Sequence, residues 1–217
     1  EAYSYFNNMN SSVAYIYSFL PTDFGRVSDA MMESATDNSV YTWENNSIYY
    51  ITNGIWSPLK RVDDGWSFWN GVRSANLFLE NFDPKVLERF QYNEDYDEMI
   101  DKASKFSLEV RFLRAFYLFE LAKRYGDIPL ITRTYTQEEI NSVRKTSFAD
   151  VIDFIAKECT EITREGGLPE DGIRGETGRV TKGAALALKS RALLYAASDL
   201  HNPGHDLVKW EAAAKAA

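Results

Sequence analysis

Apolar side chains recur along much of this chain at intervals of three and four residues, the repeat that gathers them on one side of a helix. In "GWSFWNGVRSANLFLENF", Phe68, Val72, Ala75, Leu79 and Phe82 keep that spacing, and Pro84 ends the run. A second helix is predicted over 106–121. There Phe106, Val110, Leu113, Tyr117 and Leu121 make one stripe and Phe112, Phe116 and Phe119 another on a different face, so it must be covered on two sides. Gly126 sits where a left-handed C-terminal cap belongs, and Pro129 prevents resumption. In "SFADVIDFIAKECTEI", Ser147 and Asp150 have the spacing of a capping box ahead of a stripe of Phe148, Val151, Ile155, Cys159 and Ile162. The alanine-rich "TKGAALALKSRALLYAAS" allows close neighbours and runs into the turn signal Asn202, Pro203, Gly204. Another helix starts near Leu207 and carries Trp210, and Val13, Ile16, Tyr17 and Leu20 predict one within the first 20 residues.

Two long stretches lack this periodicity: residues 21–65 and "GGLPEDGIRGETGRVTKG". Long loops inside a compact domain are functional or disordered, and the first is too rich in Trp and Tyr for disorder. A weak repeat, arginine then alanine in an aromatic helix closing on a proline turn, occurs at Arg114 and Ala115 and again at Arg191 and Ala192. The expected fold is therefore all-α, with antiparallel helix pairs stacked so that each touches neighbours on both sides. Arg111 and Arg114 then extend from the seam of the two-sided helix toward carboxylates or helix C-terminal carbonyls.

Composition narrows the function classes. The net charge of -8 would repel a phosphate backbone, and no basic run offsets it, which argues against nucleic acid. Cys159 is the only cysteine, so neither a disulfide nor a thiolate zinc site can form within the chain. Arg111, Arg114, Glu120 and Lys123 break up the most apolar segment, leaving no membrane span. The chain opens at Glu1 without a basic and apolar leader, and "KWEAAAKAA" stops inside a helix-forming run, so a fragment of a longer protein is expected.

Candidate chemistry is sparse. "NEDYDEMID" could offer Asp95 and Asp97 to calcium, but it lacks the glycine and distal glutamate of an EF-hand and reads as a solvated helix start. His201 and His205 are separated by Pro203 and Gly204, which forbid the helix that would align their rings on a metal. "GRVTKG" lacks the lysine-serine or lysine-threonine pair of a phosphate loop, and no G-x-S-x-G, H-E-x-x-H or G-x-G-x-x-G occurs. No cofactor, metal site or catalytic residue is predicted. A helical glycoside hydrolase, whose paired carboxylates are found by separation in space, and a tetratricopeptide scaffold for peptides or proteins stand as alternatives to a binding protein.

Four segments together resemble the SusD/RagB family of nutrient-binding outer-membrane lipoproteins. They are "ATDNSVYTWENNSIYYITNGIWSPLKRVDDGWSFWNGVRSANLFLENF", "EVRFLRAFYLFELAKRYGDIPLI", "GRVTKGAALALKSRALLYAASDLHNP" and "WEAAAKAA". The resemblance implies tetratricopeptide-like helix pairs with long irregular loops, residues 1–217 being the N-terminal portion of a domain whose C-terminal half lies outside this chain. It further implies a surface-exposed lipoprotein of the outer membrane, touching the membrane only through a lipid anchor outside the chain. The implied role is to bind a glycan or oligosaccharide, in some branches a peptide, without catalysis, and to pass it to a SusC-like TonB-dependent transporter.

A sugar ring offers an apolar face and a rim of hydroxyls, so its site needs exposed aromatic faces beside planar polar groups. Asp37 matches the family's acidic position at the start of this loop, and Trp56 lies where a stacking aromatic could stand. Trp43, Asn53 and Arg61 join them on chemistry alone. The competing reading makes Trp43 and Trp56 half-buried core residues and lets Asp37 cap a turn. Trp66, Trp69, Asn76 and Trp210 are expected to pack in the core.

Overall fold

In a computed structural model, residues 3–21, 26–170 and 177–217 are described. The helices are α1 (Phe6–Tyr17), α2 (Tyr49–Thr52), α3 (Phe68–Asn81), α4 (Tyr96–Tyr125), α5 (Gln137–Ile140), α6 (Phe148–Ile162), α7 (Lys182–Ala197) and α8 (Leu207–Ala216). Two-residue strands β1 (Arg26–Val27) and β2 (Ala30–Met31) pair antiparallel. Two short 3-10 segments, Met32–Ala35 and Pro84–Phe90, complete the described elements. The fold class is all-α, as the periodicity predicts. The chain divides into a helical unit, Glu1–Phe19 with Ser67–Ala217, and a smaller unit, Leu20–Trp66.

In the helical unit α4 is the central member, 30 residues long, with α1 and α3 packed on it, α6 beside it, α7 on α6 and α8 on α7. Its two predicted stripes divide between these neighbours. Phe106 stacks on Phe6 of α1 at 5.7 Å, while the Tyr117 hydroxyl donates to the Ile16 carbonyl at 2.5 Å and its ring stacks on Phe68 at 5.7 Å. On the other stripe, Phe119 meets Tyr195 of α7 edge to face at 5.3 Å. Phe106, Tyr117 and Phe119 are at most 1% exposed, and each such burial contributes about 1.5–3 kcal/mol before the cost of ordering the chain. The approach of α3 to α4 depends on Gly71, since a Cβ there would lie 2.6 Å from the Tyr117 ring.

Several boundaries differ from expectation. Helix α4 starts ten residues before Phe106 and takes the acidic run into its first turns, where Asp97 and Glu98 favour the positive end of the helix dipole. Gly126 ends it at φ 68° and ψ -112°, a positive φ but not the left-handed helical pair, with its N–H on the Ala122 carbonyl. Ser147 does cap α6 by accepting from the Asp150 N–H, and its hydroxyl also donates to the Asp150 carboxylate at 2.6 Å, so the reciprocal arm of a capping box is not formed. The complete box is at Thr136 and Glu139, ahead of the four-residue α5, which has too few residues to show a period. In α3 the buried set includes Phe78 and Asn76, with Leu79 only half buried.

Two tryptophans expected in the core are on the surface: Trp66 is 59% exposed and Trp210 41%. Trp66 precedes the first residue of α3, so the helical period does not govern it. On α8 the residue buried is the small Ala213, which lets that helix lie close to α7 while Trp210 stays at the rim. Trp69 is half buried and Asn76 buried, in line with expectation. Part of the glycine-rich segment after α6, residues 171–176, lies outside the described residues, as do residues 22–25 of the first loop.

Candidate functional site

Buried charge is concentrated in the helical unit, where the carboxylates are paired from within, while among the described residues Arg114 Nε is buried without a hydrogen-bond partner. Glu158 of α6 takes two hydrogen bonds from Arg111, Nε at 3.1 Å and an Nη at 2.8 Å, and a third from Arg114 at 3.0 Å. Arg114 also donates to the Asn76 side chain at 2.9 Å and the Thr132 carbonyl at 3.0 Å. The Asn76 amide in turn donates to the carbonyls of Ile131 and Arg133. The two arginines thus reach a carboxylate, as their place on the seam predicts, and they fasten α3, α4, α6 and the 131–133 segment together. Burial alone would raise the Glu158 carboxyl, but the hydrogen bonds and charge of Arg111 and Arg114 outweigh it and hold the group below the usual carboxylate range. Glu120 has the same balance, with Lys123 and Arg124 supplying the cations. Both carboxyls therefore stay ionised near neutrality and neither is a proton donor in waiting.

A third cluster ties α1 to the segment ahead of α7. Glu109 accepts from the Tyr17 hydroxyl at 2.7 Å and from Arg179 at 3.0 Å, while the Tyr17 oxygen accepts the Val180 N–H at 2.9 Å. A shallow concavity of about 290 Å³ between α1 and α3, walled by Tyr15, Leu77 and Ser74 among others, is lined by no charged residue and includes none of the sequence-predicted site residues.

The unit Leu20–Trp66 is built differently. Its core is Val27, Ala30, Ile48 and Val62, with Tyr41, Tyr49 and Tyr50 packed partly against it. Ser28 and Asp29, both at positive φ, make the two-residue turn between β1 and β2, the mirror-image geometry that suits a tight hairpin. Ser47 donates to the Ser28 hydroxyl at 2.6 Å, the Asn46 amide donates to the Ser28 carbonyl, and the Asn46 side-chain oxygen accepts the Ile48 N–H at 2.9 Å just ahead of α2. The Tyr49 hydroxyl donates to the Tyr41 carbonyl, binding α2 to the 41–43 segment.

Trp56 is held by its backbone and leaves its ring outside. The N–H groups of Ile55 and Trp56 both reach the Tyr50 carbonyl, at 3.0 and 2.8 Å, after Gly54 turns the chain at φ 66°. Trp56 is 60% exposed. Trp43 is 72% exposed, its ring edge-on to Tyr41 at 6.0 Å. The half-buried-core reading therefore fails for both. Asn53 caps the end of α2 through its N–H on Tyr49 and leaves its side chain in solvent, one turn from Trp56. Asp37 is exposed after Met32–Ala35, and the turn there is closed by the Thr36 hydroxyl and not by Asp37. Arg61 faces Asp64 at 3.6 Å, and no hydrogen bond or ion pair joins it or Asp37 to either tryptophan among the described residues.

Asn53, Trp56, Trp43, Asp37 and Arg61 are thus all exposed on the same unit, with no hydrogen bond, ion pair or ring contact joining them among the described residues. Sequence reasoning missed Tyr50, which anchors the Trp56 backbone and carries Lys60 Nζ 5.6 Å from its ring centre, and Tyr41, which backs Trp43. The signal available was the density of tyrosine near each tryptophan in the sequence, at Tyr41 beside Trp43 and at Tyr49 and Tyr50 before Trp56.

A family model of SusD-like proteins, described as starch-binding associating with outer membrane, matches residues 8–194. A SusD-like protein from Bacteroides fragilis NCTC 9343 is similar at 26% identity and TM-score 0.62 over 97% of this chain and 39% of that one. A SusD-like carbohydrate binding protein from the same organism is 26% identical, with TM-score 0.63, over 99% of this chain and 40% of that one. A laminarin binding SusD-like protein shares the fold at 22% identity and TM-score 0.67, over 92% of this chain and 42% of that one. The chain spans about two fifths of the length of these solved proteins. No curated protein matches it.

Proposed function

Since the chain belongs to the SusD-like family, we propose that it is part of a surface glycan-binding protein that holds oligosaccharides and delivers them to a SusC-like TonB-dependent transporter. The observation that carries this reading is the exposure of Trp43 and Trp56 on a unit whose backbone is otherwise tied down. An exposed indole offers a flat apolar face, and a sugar's CH face is complementary to it. Asn53 is an exposed planar amide three residues before Trp56 in the chain, and Asp37 and Arg61 are exposed charged hydrogen-bonding groups on the same unit, suited to a hydroxyl rim. The outer-membrane surface is the corresponding location, with attachment through a lipid outside this chain; among the described residues no helix is long and apolar enough to cross a membrane.

A protein that passes its ligand on intact has no use for cleavage, and the ionised state of Glu120 and Glu158 accords with that. Titration of a glycan panel against the full-length protein and its Trp56→Ala variant tests the reading. The variant is expected to keep its melting temperature and lose about 1–3 kcal/mol of glycan affinity, the range of ring-stacking contacts. Equal affinity returns Trp56 to a structural role. Reducing ends that accumulate on long incubation with the purified protein would replace the binding reading with a hydrolase.

A further inference from the structure

The concavity between α1 and α3 lies wholly within the helical unit, and its lining divides into two kinds of surface. Ile16 and Phe78, at most 1% exposed, make an apolar floor, and Leu77 and Tyr15 stand beside it at 44% and 60% exposed. Edge-to-face contacts steady its aromatic rings, Tyr15 with Phe19 at 5.1 Å and Tyr3 with Phe78 at 5.7 Å. Hydroxyls reach it from three segments: Ser11 and Ser12 on α1, Ser74 on α3, and Tyr3 ahead of α1. Among the described residues the hydroxyls of Tyr3, Ser11, Tyr15 and Ser74 have no hydrogen-bond partner, and that of Ser12 donates to the Asn8 carbonyl at 2.8 Å while its oxygen stays free to accept. Burial pushes the Tyr3 hydroxyl above the ordinary tyrosine range, so this group is already partly out of water with nothing in its place.

Chemistry narrows what such a lining can hold. An ion of either sign finds no counter-charge there, since no charged side chain lines the concavity. An acyl chain or an apolar side chain matches Ile16, Leu77 and Phe78 but strips water from the hydroxyls and returns no hydrogen bond. A ring with an apolar CH face and a rim of hydroxyls answers both surfaces, because serine and tyrosine hydroxyls each donate and accept. The volume, about 290 Å³, lies at the lower end of small-ligand sites and suits one ring, not a chain of them. We propose that the α1–α3 concavity is a second sugar site, which takes one neutral hexose residue of an oligosaccharide. It does not depend on Trp43 or Trp56, and its shallow walls make it the weaker of the two.

The test is nitration of the full-length protein by tetranitromethane, read at Tyr15 by peptide mass spectrometry, with and without millimolar maltohexaose, laminarihexaose or cellohexaose. At least one of the three is expected to slow Tyr15 nitration about threefold or more, while Tyr92, 91% exposed and outside the concavity, reacts as before. Trp43→Ala with Trp56→Ala should leave that protection in place. Ser11→Ala with Ser74→Ala should weaken the affinity behind it at least about fivefold, as two lost hydrogen bonds do. If the protein binds one of these sugars and Tyr15 is not protected, the second site is overturned and the reading of Trp43 and Trp56 stands. Protection that survives the paired serine substitutions unchanged, or vanishes with the tryptophans, overturns it as well. A Tyr15 that resists nitration without sugar is covered by another part of the same protein, and that too overturns the site. Binding of none of the three sugars overturns both.

Discussion

In the helical unit, several arginines and glutamates are drawn inside and tryptophans are few; in Leu20–Trp66, the described charged groups stay at the surface and so do three tryptophans. The contrast follows from how each region is stabilised. Helices α3, α4 and α6 bury enough aromatic and aliphatic surface to hold Glu158 between two arginines, and the desolvation of three charges is offset by five hydrogen bonds. Leu20–Trp66 has a core of four small or branched residues and relies on hydrogen bonds from Asn46, Ser47 and Tyr49 to fix its path. A burial-rich region can hide polar groups, while a burial-poor one has indoles to spare for other molecules.

The change that would break this contrast most severely is Glu158→Ala. It leaves Arg111 and Arg114 without their shared carboxylate, and unfolding by urea should show a loss of about 3–5 kcal/mol. The same pair gives a pH signature. Because the folded Glu158 pKa is depressed, its stabilisation is complete above the unfolded carboxyl value near 4.3 and is lost as pH falls through the lower folded value. Stability should therefore fall on the acid side below about pH 4.5, and Glu158→Gln should flatten that limb; an unchanged limb would show that other carboxylates dominate.

Next in size is Gly71→Ala, which sets a methyl group 2.6 Å from a tyrosine ring already fixed by its hydrogen bond to Ile16. A loss of about 1–3 kcal/mol is expected by thermal denaturation, and a neutral result would mean that α3 can shift away from α4. The smallest effects sharpen the comparison from the other side. Trp43→Ala should change stability by no more than about 0.5 kcal/mol, as an exposed residue away from caps and clusters does. A larger drop would show that Leu20–Trp66 needs its surface indoles to hold its own shape.

The sequence made the helical unit readable because its signals are long and redundant. Two stripes on 106–121 forced a helix with neighbours on both sides, and the arginines between them pointed toward carboxylates or helix C-terminal carbonyls, of which Glu158 supplies the carboxylate. Trp66 was misplaced because it lies ahead of α3, where the helical period does not reach, and Trp210 because α8 buries the small Ala213 and leaves the indole at the rim. In Leu20–Trp66 no period exists to be read. Its hairpin turn uses Ser28 and Asp29 at positive φ without a glycine, and α2 is a single turn started by a side chain of Asn46, so both were invisible as patterns. The aromatic candidates were legible as chemistry. Their exposure was not, because it depends on which tyrosines Ile48 and Val62 draw inward.

The stretch from Leu20 to Trp66 leaves the bundle after α1 and returns to it before α3, two helices that pack on each other directly. Keeping such an excursion closed is an entropic charge that grows only with the logarithm of length, about 0.6 kcal/mol for each doubling. Descendants of this gene can therefore lengthen, shorten or rewrite that stretch while α1 and α3 go on recognising each other.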